Sequence, residues 1–212
     1  MEESFAVSVP HAAPARGQRA ESAAGGAWPL VAETIRTPGL ALLPLRLAHA
    51  AQMARVLGDP ALHEFIGGAP ASAAELRVRY ARMLAGPDDP AVSWCNWVVE
   101  IREPAGARAL AGTVQATVTV PVPGRTRAAG PAPGAVAELA WVVGGPFQGR
   151  GIAKEAARGL ARWLADRGVG TLVAHIRADH AASAAVARAV GLVRTDVVHE
   201  GEELWEGRAP GT

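Results

Sequence analysis

The chain has 212 residues, 50% of them hydrophobic, and a formal net charge of +1. A chain of this length and apolarity can bury one sizeable core. Its nearly balanced charge argues against nucleic acid and against an anionic membrane surface as partners. The single cysteine, Cys95, excludes an internal disulfide framework and a zinc site made of several cysteines, and no metal site is predicted.

The beginning of the chain differs in composition from the rest. Residues 1–36 are rich in Ala, Gly, Pro and Ser, which predicts a mobile tail. They lack a basic stretch followed by a sustained apolar run, so they do not resemble a signal peptide. The chain also lacks the ~18 consecutive apolar residues of a membrane span, and we expect a cytoplasmic protein. Residues 37–208 are predicted to form one domain, and residues 209–212 a short tail.

The first half of this domain contains apolar segments that fit both strands and helices. A Pro/Gly-rich stretch, residues 121–133, is expected to be a long mobile loop between two antiparallel strands. The predicted elements before it are strands at residues 40–47, 97–101 and 109–120 and helices at residues 48–56 and 72–85.

The second half begins with a strand at residues 136–143, whose side chains alternate between two faces. The sequence Gly144-Gly145-Pro146 ends this strand, because proline cannot donate to a ladder. An amphipathic helix follows over residues 151–167. One face of the strand carries Ala137, Leu139, Trp141 and Val143, and the other carries Val136, Glu138, Ala140 and Val142. The later predicted elements are a strand at 171–176, a helix at 180–190 and strands at 192–198 and 203–205.

The junction between that strand and that helix, residues 148–153, reads Gln-Gly-Arg-Gly-Ile-Ala. A glycine-containing turn that opens a helix presents unpaired backbone N–H groups, which bind phosphate together with the helix dipole. A Walker loop is excluded because no Gly-Lys pair follows. The dinucleotide fingerprint is excluded because its third glycine position holds Lys154. The junction therefore predicts a phosphate site of another kind.

The remaining pattern is Gln or Arg, then two residues, Gly, one residue, and Gly or Ala; Gln148, Gly151 and Ala153 meet it. It resembles the pyrophosphate-binding loop of the GNAT superfamily of acyl-CoA-dependent N-acyltransferases. The order of predicted elements over roughly residues 38–206 is similar to the same family. The sequence Ser183 followed by Gly191-Leu192 is also similar to the family, although Leu192 and His180 occupy positions where the family often has Phe and Asn.

The resemblance implies an α/β fold with a mixed, mostly antiparallel sheet that splays at the strand before the loop and carries helices on both faces. It is nearest to the branch that acetylates ribosomal-protein N-termini and small amines. The implied cosubstrate is acetyl-CoA, with its pyrophosphate on the loop and its pantetheine arm along the strand edge. The residues expected to contact it are Trp141, Val142, Val143, Gln148, Gly149, Arg150, Gly151, Ile152, Ala153, His180 and Ser183.

Two residues are expected to be catalytic. Glu138 is the one ionisable group on its strand face, where apolar neighbours favour a general base that works near neutral pH. Ser183 matches a serine that related enzymes use as an acid or as a CoA contact; it is equally consistent with a helix-start residue that binds backbone N–H groups. The chain's only tyrosine, Tyr80, lies too early to match the tyrosine acid of many family members. His175 is expected to be a hydrogen-bonded core histidine.

The acceptor is expected to be a primary amine of a small molecule or a peptide N-terminus. Since no cysteine matches a nucleophile position of the family, the resemblance implies direct attack in a ternary complex. His63-Glu64 lies where the family places the acceptor. Two alternatives stay open: a GNAT-fold protein that senses acyl-CoA without catalysis, and a nucleotide-binding protein of another family. Dimers are common in the family, and the sequence leaves the oligomeric state open.

Overall fold

A computed structural model describes residues 28–102, 106–121 and 134–211. The described strands are β1 (Ile35–Arg36), β2 (Leu40–Pro44), β3 (Val92–Arg102), β4 (Arg108–Thr119), β5 (Ala135–Val143), β6 (Val169–Arg177), β7 (Val193–His199) and β8 (Glu202–Arg208). They form one sheet in the order β1-β2-β3-β4-β5-β6-β8-β7. Neighbouring strands are antiparallel except β5 and β6, which are parallel.

Helices cover both faces of this sheet. The described α-helices are α1 (Ala50–Val56), α2 (Pro60–Ile66), α3 (Ala73–Ala85), α4 (Ile152–Ala165) and α5 (Ala181–Ala189), and 3-10 helices span Leu47–His49 and Gly145–Phe147. Successive side chains of β3 point to opposite faces of the sheet. Trp97 and Val99 pack in the core that contains α4 and α5, whereas Val98 packs in the core that contains α1 and α3. The predicted α/β fold class is confirmed. Within the described ranges, no helix has both the length and the apolarity to cross a membrane.

Helix α2 was not predicted, although the sequence carries a start signal for it. Asp59 precedes Pro60, and its Oδ1 accepts a hydrogen bond from the Ala61 N–H at 3.0 Å. An acidic N-cap followed by proline at the first helical position is a common way to begin a helix. This helix is only seven residues long, so its apolar periodicity is too short to recognise.

Residues 28–36 fall inside the predicted tail, yet they pack on the core. The Trp28 indole N–H donates to the Pro90 carbonyl at 2.7 Å, and the Leu30 N–H donates to Ser93 Oγ at 3.0 Å. Leu30 is itself buried. Burial of apolar side chains outweighs the Ala- and Pro-rich composition here, so the ordered region includes residues ahead of 37. The rest of the predicted tail before Trp28, and the predicted loop after Pro121, lie outside the described residues.

Candidate active site

The two parallel strands separate where the site lies. Their pairing runs from Ala135 opposite Val169 to Glu138 opposite Val173, and it stops there although both strands continue. The expected splay is therefore present. A cavity of about 830 Å³ lies at this opening and extends to both faces of the sheet. We call the opening between the carboxyl-terminal halves of β5 and β6 the seam.

The contacts between β5 and β4 show which backbone groups of β5 face the seam. The Gly144 N–H donates to the Ala111 carbonyl on β4 at 2.9 Å. A Cβ added at Gly112 on β4 would lie only 2.1 Å from the Val142 carbonyl oxygen, which shows that this carbonyl also faces β4. Backbone groups of successive residues point to opposite sides of a strand, so the N–H groups of Trp141 and Val143 face the seam.

The loop after β5 has the backbone expected of an anion site. Gly149 and Gly151 have φ values of 74° and 77°, a left-handed conformation that favours glycine. Helix α4 begins directly after Gly151, and no side chain caps its first turn. Those N–H groups are therefore available to a ligand rather than to a cap. Gln148 ties the loop to the strand, because its Nε2 donates to the Val143 carbonyl at 3.0 Å.

Glu155 holds the start of α4 against the far end of the sheet. Its Oε1 accepts from Thr37 Oγ1 at 2.6 Å and from the Gly39 N–H at 2.7 Å, across more than a hundred residues of sequence. The carboxylate thus fixes the turn between β1 and β2 to the helix that carries the loop. These partners come from the tertiary fold, so the sequence around Glu155 does not reveal them.

On the α5 side of the seam, His180 and Ser183 have different roles. His180 caps the helix: its Nδ1 accepts from the Ser183 N–H at 2.9 Å. The Phe65 ring of α2 packs edge-on against the His180 ring, with centroids 4.1 Å apart. Ser183 Oγ accepts from the Trp141 indole N–H at 3.3 Å. The serine hydroxyl therefore faces the strand edge instead of capping the helix.

On the α1 and α3 side of the sheet, Glu138 has a partner that the sequence did not reveal. His175 Nδ1 lies 3.1 Å from Glu138 Oε1, and both side chains are 25% exposed. His175 lines the cavity, whereas Glu138 does not. His175 is hydrogen-bonded as expected, but it forms part of the cavity wall rather than the core.

The far end of the cavity lies under α2 and α3. His63 stabilises α2 internally, because its ring nitrogens lie 3.1 Å from the carbonyl oxygens of Gly67 and Leu57. Tyr80 lines the cavity and is buried, and its hydroxyl has no hydrogen-bond partner among the described residues. Burial raises the pKa of Tyr80 to about 12, so the hydroxyl keeps its proton at neutral pH. Tyr80 was not predicted as a site residue, because it lies too early in the chain to match the tyrosine acid of many family members.

The cavity collects most of the residues predicted to contact acetyl-CoA. Arg150, the exception, lies beside the Phe147 ring with its guanidinium carbon 5.8 Å from the ring centre. The described residues contain no group of three or more His, Cys, Asp or Glu side chains that could hold a metal. The predicted contacts that line the cavity are Trp141, Val142, Val143, Gln148, Gly149, Gly151, Ile152, Ala153, His180 and Ser183.

Comparison with known families decides the relationship of the chain. Residues 40–193 match the acetyltransferase (GNAT) domain family. The chain belongs to the GNAT acetyltransferase family. This assignment confirms the resemblance found in the sequence, and it makes the chain an acyltransferase. No curated protein sequence matches this GNAT chain.

Solved structures agree with the GNAT fold. RimL, a ribosomal-protein alpha-N-acetyltransferase in complex with coenzyme A, has a TM-score of 0.64 at 18% identity, covering 83% of this chain and 98% of its own. The microcin C7 self-immunity acetyltransferase MccE, in complex with acetyl-CoA and AMP, gives 0.62 at 14%, covering 81% and 93%. An acetyltransferase from Agrobacterium tumefaciens strain C58 gives 0.57 at 22%, covering 91% and 99%.

Proposed function

We propose that the protein transfers an acetyl group from acetyl-CoA to a primary amine, by direct attack of the amine in a ternary complex. The observation that carries this proposal is the seam. A strand edge with unpaired N–H groups leads into a helix-opening loop on the donor side, and a carboxylate–imidazole pair stands at the same opening on the other face.

The donor side fits acetyl-CoA part by part. The N–H groups of Gly149 to Ala153 and the α4 dipole receive the pyrophosphate, with Arg150 adding positive charge. The N–H groups of Trp141 and Val143 receive the pantetheine arm and the thioester carbonyl. One of these amides then stabilises the oxyanion that forms during attack. RimL and MccE, which are similar in fold, are complexes with coenzyme A and acetyl-CoA, which supports the same cosubstrate here.

Direct attack is favoured over an acetyl-cysteine intermediate. A nucleophilic cysteine is exposed and has a lowered pKa, whereas Cys95 is completely buried and burial raises its pKa to about 12. Cys95 also does not line the cavity. The amine therefore attacks the thioester itself, and the CoA thiolate leaves.

Two side chains have proton-transfer roles in this proposal. Glu138 supplies the basicity that turns the ammonium into an attacking amine. Ser183, whose hydroxyl faces the strand edge beside Trp141, protonates the leaving thiolate. The acceptor is a small amine or a peptide N-terminus, in line with the ribosomal-protein and self-immunity names of the two relatives.

The proposal is tested with the purified chain, acetyl-CoA and an amine panel of spermidine, tyramine and an alanyl peptide. We expect thiol release together with a product that is one acetyl group heavier by mass spectrometry. Calorimetric binding of CoA without acetylation of any amine would favour the acyl-CoA sensor. Thermal protection by ATP or NAD but not by CoA would rule out the donor assignment.

A further inference from the structure

His175 joins Glu138 to the cavity, and the proposed function gives this position a use. We infer that the His175 imidazole is the group that takes the proton from the acceptor ammonium, and that Glu138 holds and supports the ring. The inference rests on the proposed function and deepens it, since it divides the base between two residues. It follows from three observations: the tautomer, the position on β6 and the lining of the cavity.

The hydrogen bond to Glu138 determines which ring nitrogen carries the proton. A carboxylate only accepts hydrogen bonds, so the Nδ1 that lies 3.1 Å from Glu138 Oε1 must donate. In the neutral ring, Nε2 then keeps its lone pair. Among the described residues Nε2 has no hydrogen-bond partner. The ring therefore has its basic nitrogen available for an incoming proton.

The position of His175 places that nitrogen at the opening between the strands. His175 lies two residues beyond Val173, the last β6 residue that pairs with β5. Asn96 and Gln115 lie opposite each other on β3 and β4, and both line the same cavity. Their amides offer hydrogen bonds to an acceptor next to the imidazole. Glu138 does not line the cavity, so His175 is the member of the pair that an acceptor in the cavity meets.

Other charged groups on this face are further along the sheet or already paired. Arg177, on β6, forms an ion pair with Asp179 at 2.7 Å and donates to the Glu64 carbonyl of α2. On β8, Leu204 is opposite His175, and Glu202 and Glu206 lie two residues to either side of it. Glu138 is the only described carboxylate that is hydrogen-bonded to the imidazole.

The proton balance of the reaction is complete with this arrangement. Nε2 takes one proton from the ammonium, which frees the nitrogen lone pair to form the new C–N bond. The imidazolium is stabilised by the Glu138 carboxylate and returns its proton to solvent after the product leaves. Once the C–N bond has formed, the C–S bond breaks and Ser183 gives its hydroxyl proton to the leaving thiolate, which becomes the CoA thiol. The Ser183 oxygen takes the second proton of the nitrogen in its place, so the product is a neutral amide.

The first test needs no acceptor. Long-range proton–nitrogen NMR of the ¹⁵N-labelled protein distinguishes the two neutral tautomers, and a His175→Gln sample assigns the signals. We expect the neutral His175 ring to carry its proton on Nδ1 and to have an unprotonated Nε2. A neutral ring protonated on Nε2 would overturn the inference, because that nitrogen would then have no lone pair to offer.

The second test compares variants with the best amine of the panel. His175→Gln is expected to lower kcat roughly 100-fold while changing the KM for acetyl-CoA less than about twofold. It should also remove the limb of the kcat/KM profile that rises with pH. Glu138→Gln should lower kcat but keep that limb, because the imidazole is still present. His199→Gln, on the exposed edge strand β7, is the control.

The outcomes separate the inference from the function on which it rests. Near-normal turnover and an unchanged pH limb in His175→Gln would show that the imidazole has only a structural role, while amine acetylation by the wild type still stands. Failure of the wild type to acetylate any amine would overturn the proposed function, and the inference with it.

Discussion

In the proposed function, the two sides of the seam bind their ligands with different parts of the chain. On the donor side, the strand edge, the loop and the first turn of α4 follow one another within residues 141–155, and the ligand groups are backbone amides. On the acceptor side, the cavity wall is made of side chains from α2, α3, β3, β4 and β6. A backbone site constrains few residue types beyond its glycines, whereas a side-chain site can change its ligand with single substitutions.

A side chain placed in the donor loop should have the largest effect. We expect Gly151→Glu to weaken CoA binding roughly 1000-fold. A residue other than glycine must return to the left-handed conformation when CoA binds, which costs about 1–2 kcal/mol. The new carboxylate also repels the pyrophosphate, where each charge-assisted hydrogen bond is worth about 1.5–3 kcal/mol. A Cβ at this position meets nothing within 4 Å, so the chain should still fold. Isothermal titration calorimetry measures the affinity.

Gly191→Glu is the matched control for that loop variant. Gly191 has a φ of 85°, and a Cβ there also meets nothing within 4 Å, but it follows α5 and does not line the cavity. It carries the same backbone strain and the same new charge. Unchanged CoA affinity in Gly151→Glu, or an equal loss in Gly191→Glu, would contradict the donor assignment.

On the other side of the seam, Glu138→Gln should affect the reaction and not the donor. We expect kcat to fall roughly 100-fold, since Glu138 supports the His175 base and a positioned base contributes about 10²–10⁴-fold, while CoA affinity stays within about twofold. Steady-state kinetics and calorimetry separate the two quantities. Glu206→Gln removes an exposed carboxylate from the same face and should have little effect. A full-rate Glu138→Gln enzyme would remove this residue from the mechanism.

Ser183 lies on the α5 side of the seam beside Trp141, and its removal should have a smaller effect. Ser183→Ala is expected to lower kcat about tenfold, because water can replace a hydroxyl as the acid for a thiolate. Ser183→Thr keeps the hydroxyl and should retain most of the rate. Trp141→Phe removes the indole donor to Oγ without removing the hydroxyl. If it slows the reaction as much as Ser183→Ala, the serine depends on its orientation by Trp141.

The contrast between the sides also explains what the sequence could predict. The loop at Gln148 is read from neighbouring residues, and so are the alternation of β5 and the start of α4. The pairing of Glu138 with His175 joins residues 37 positions apart. It depends on the register between β5 and β6, which the tertiary fold sets. The site assignment of Glu138 and Ser183 stays a prediction, whereas the fold class and the family are confirmed.

The smallest expected effect concerns a polar group on the acceptor side that has no hydrogen-bond partner among the described residues. The Tyr80 hydroxyl is buried without a partner among the described residues, and such a group costs about 1–3 kcal/mol. Tyr80→Phe keeps the ring and should raise the free energy of unfolding by about 1 kcal/mol in urea, with CoA affinity unchanged. A less stable Tyr80→Phe protein would mean that the hydroxyl is satisfied by buried water.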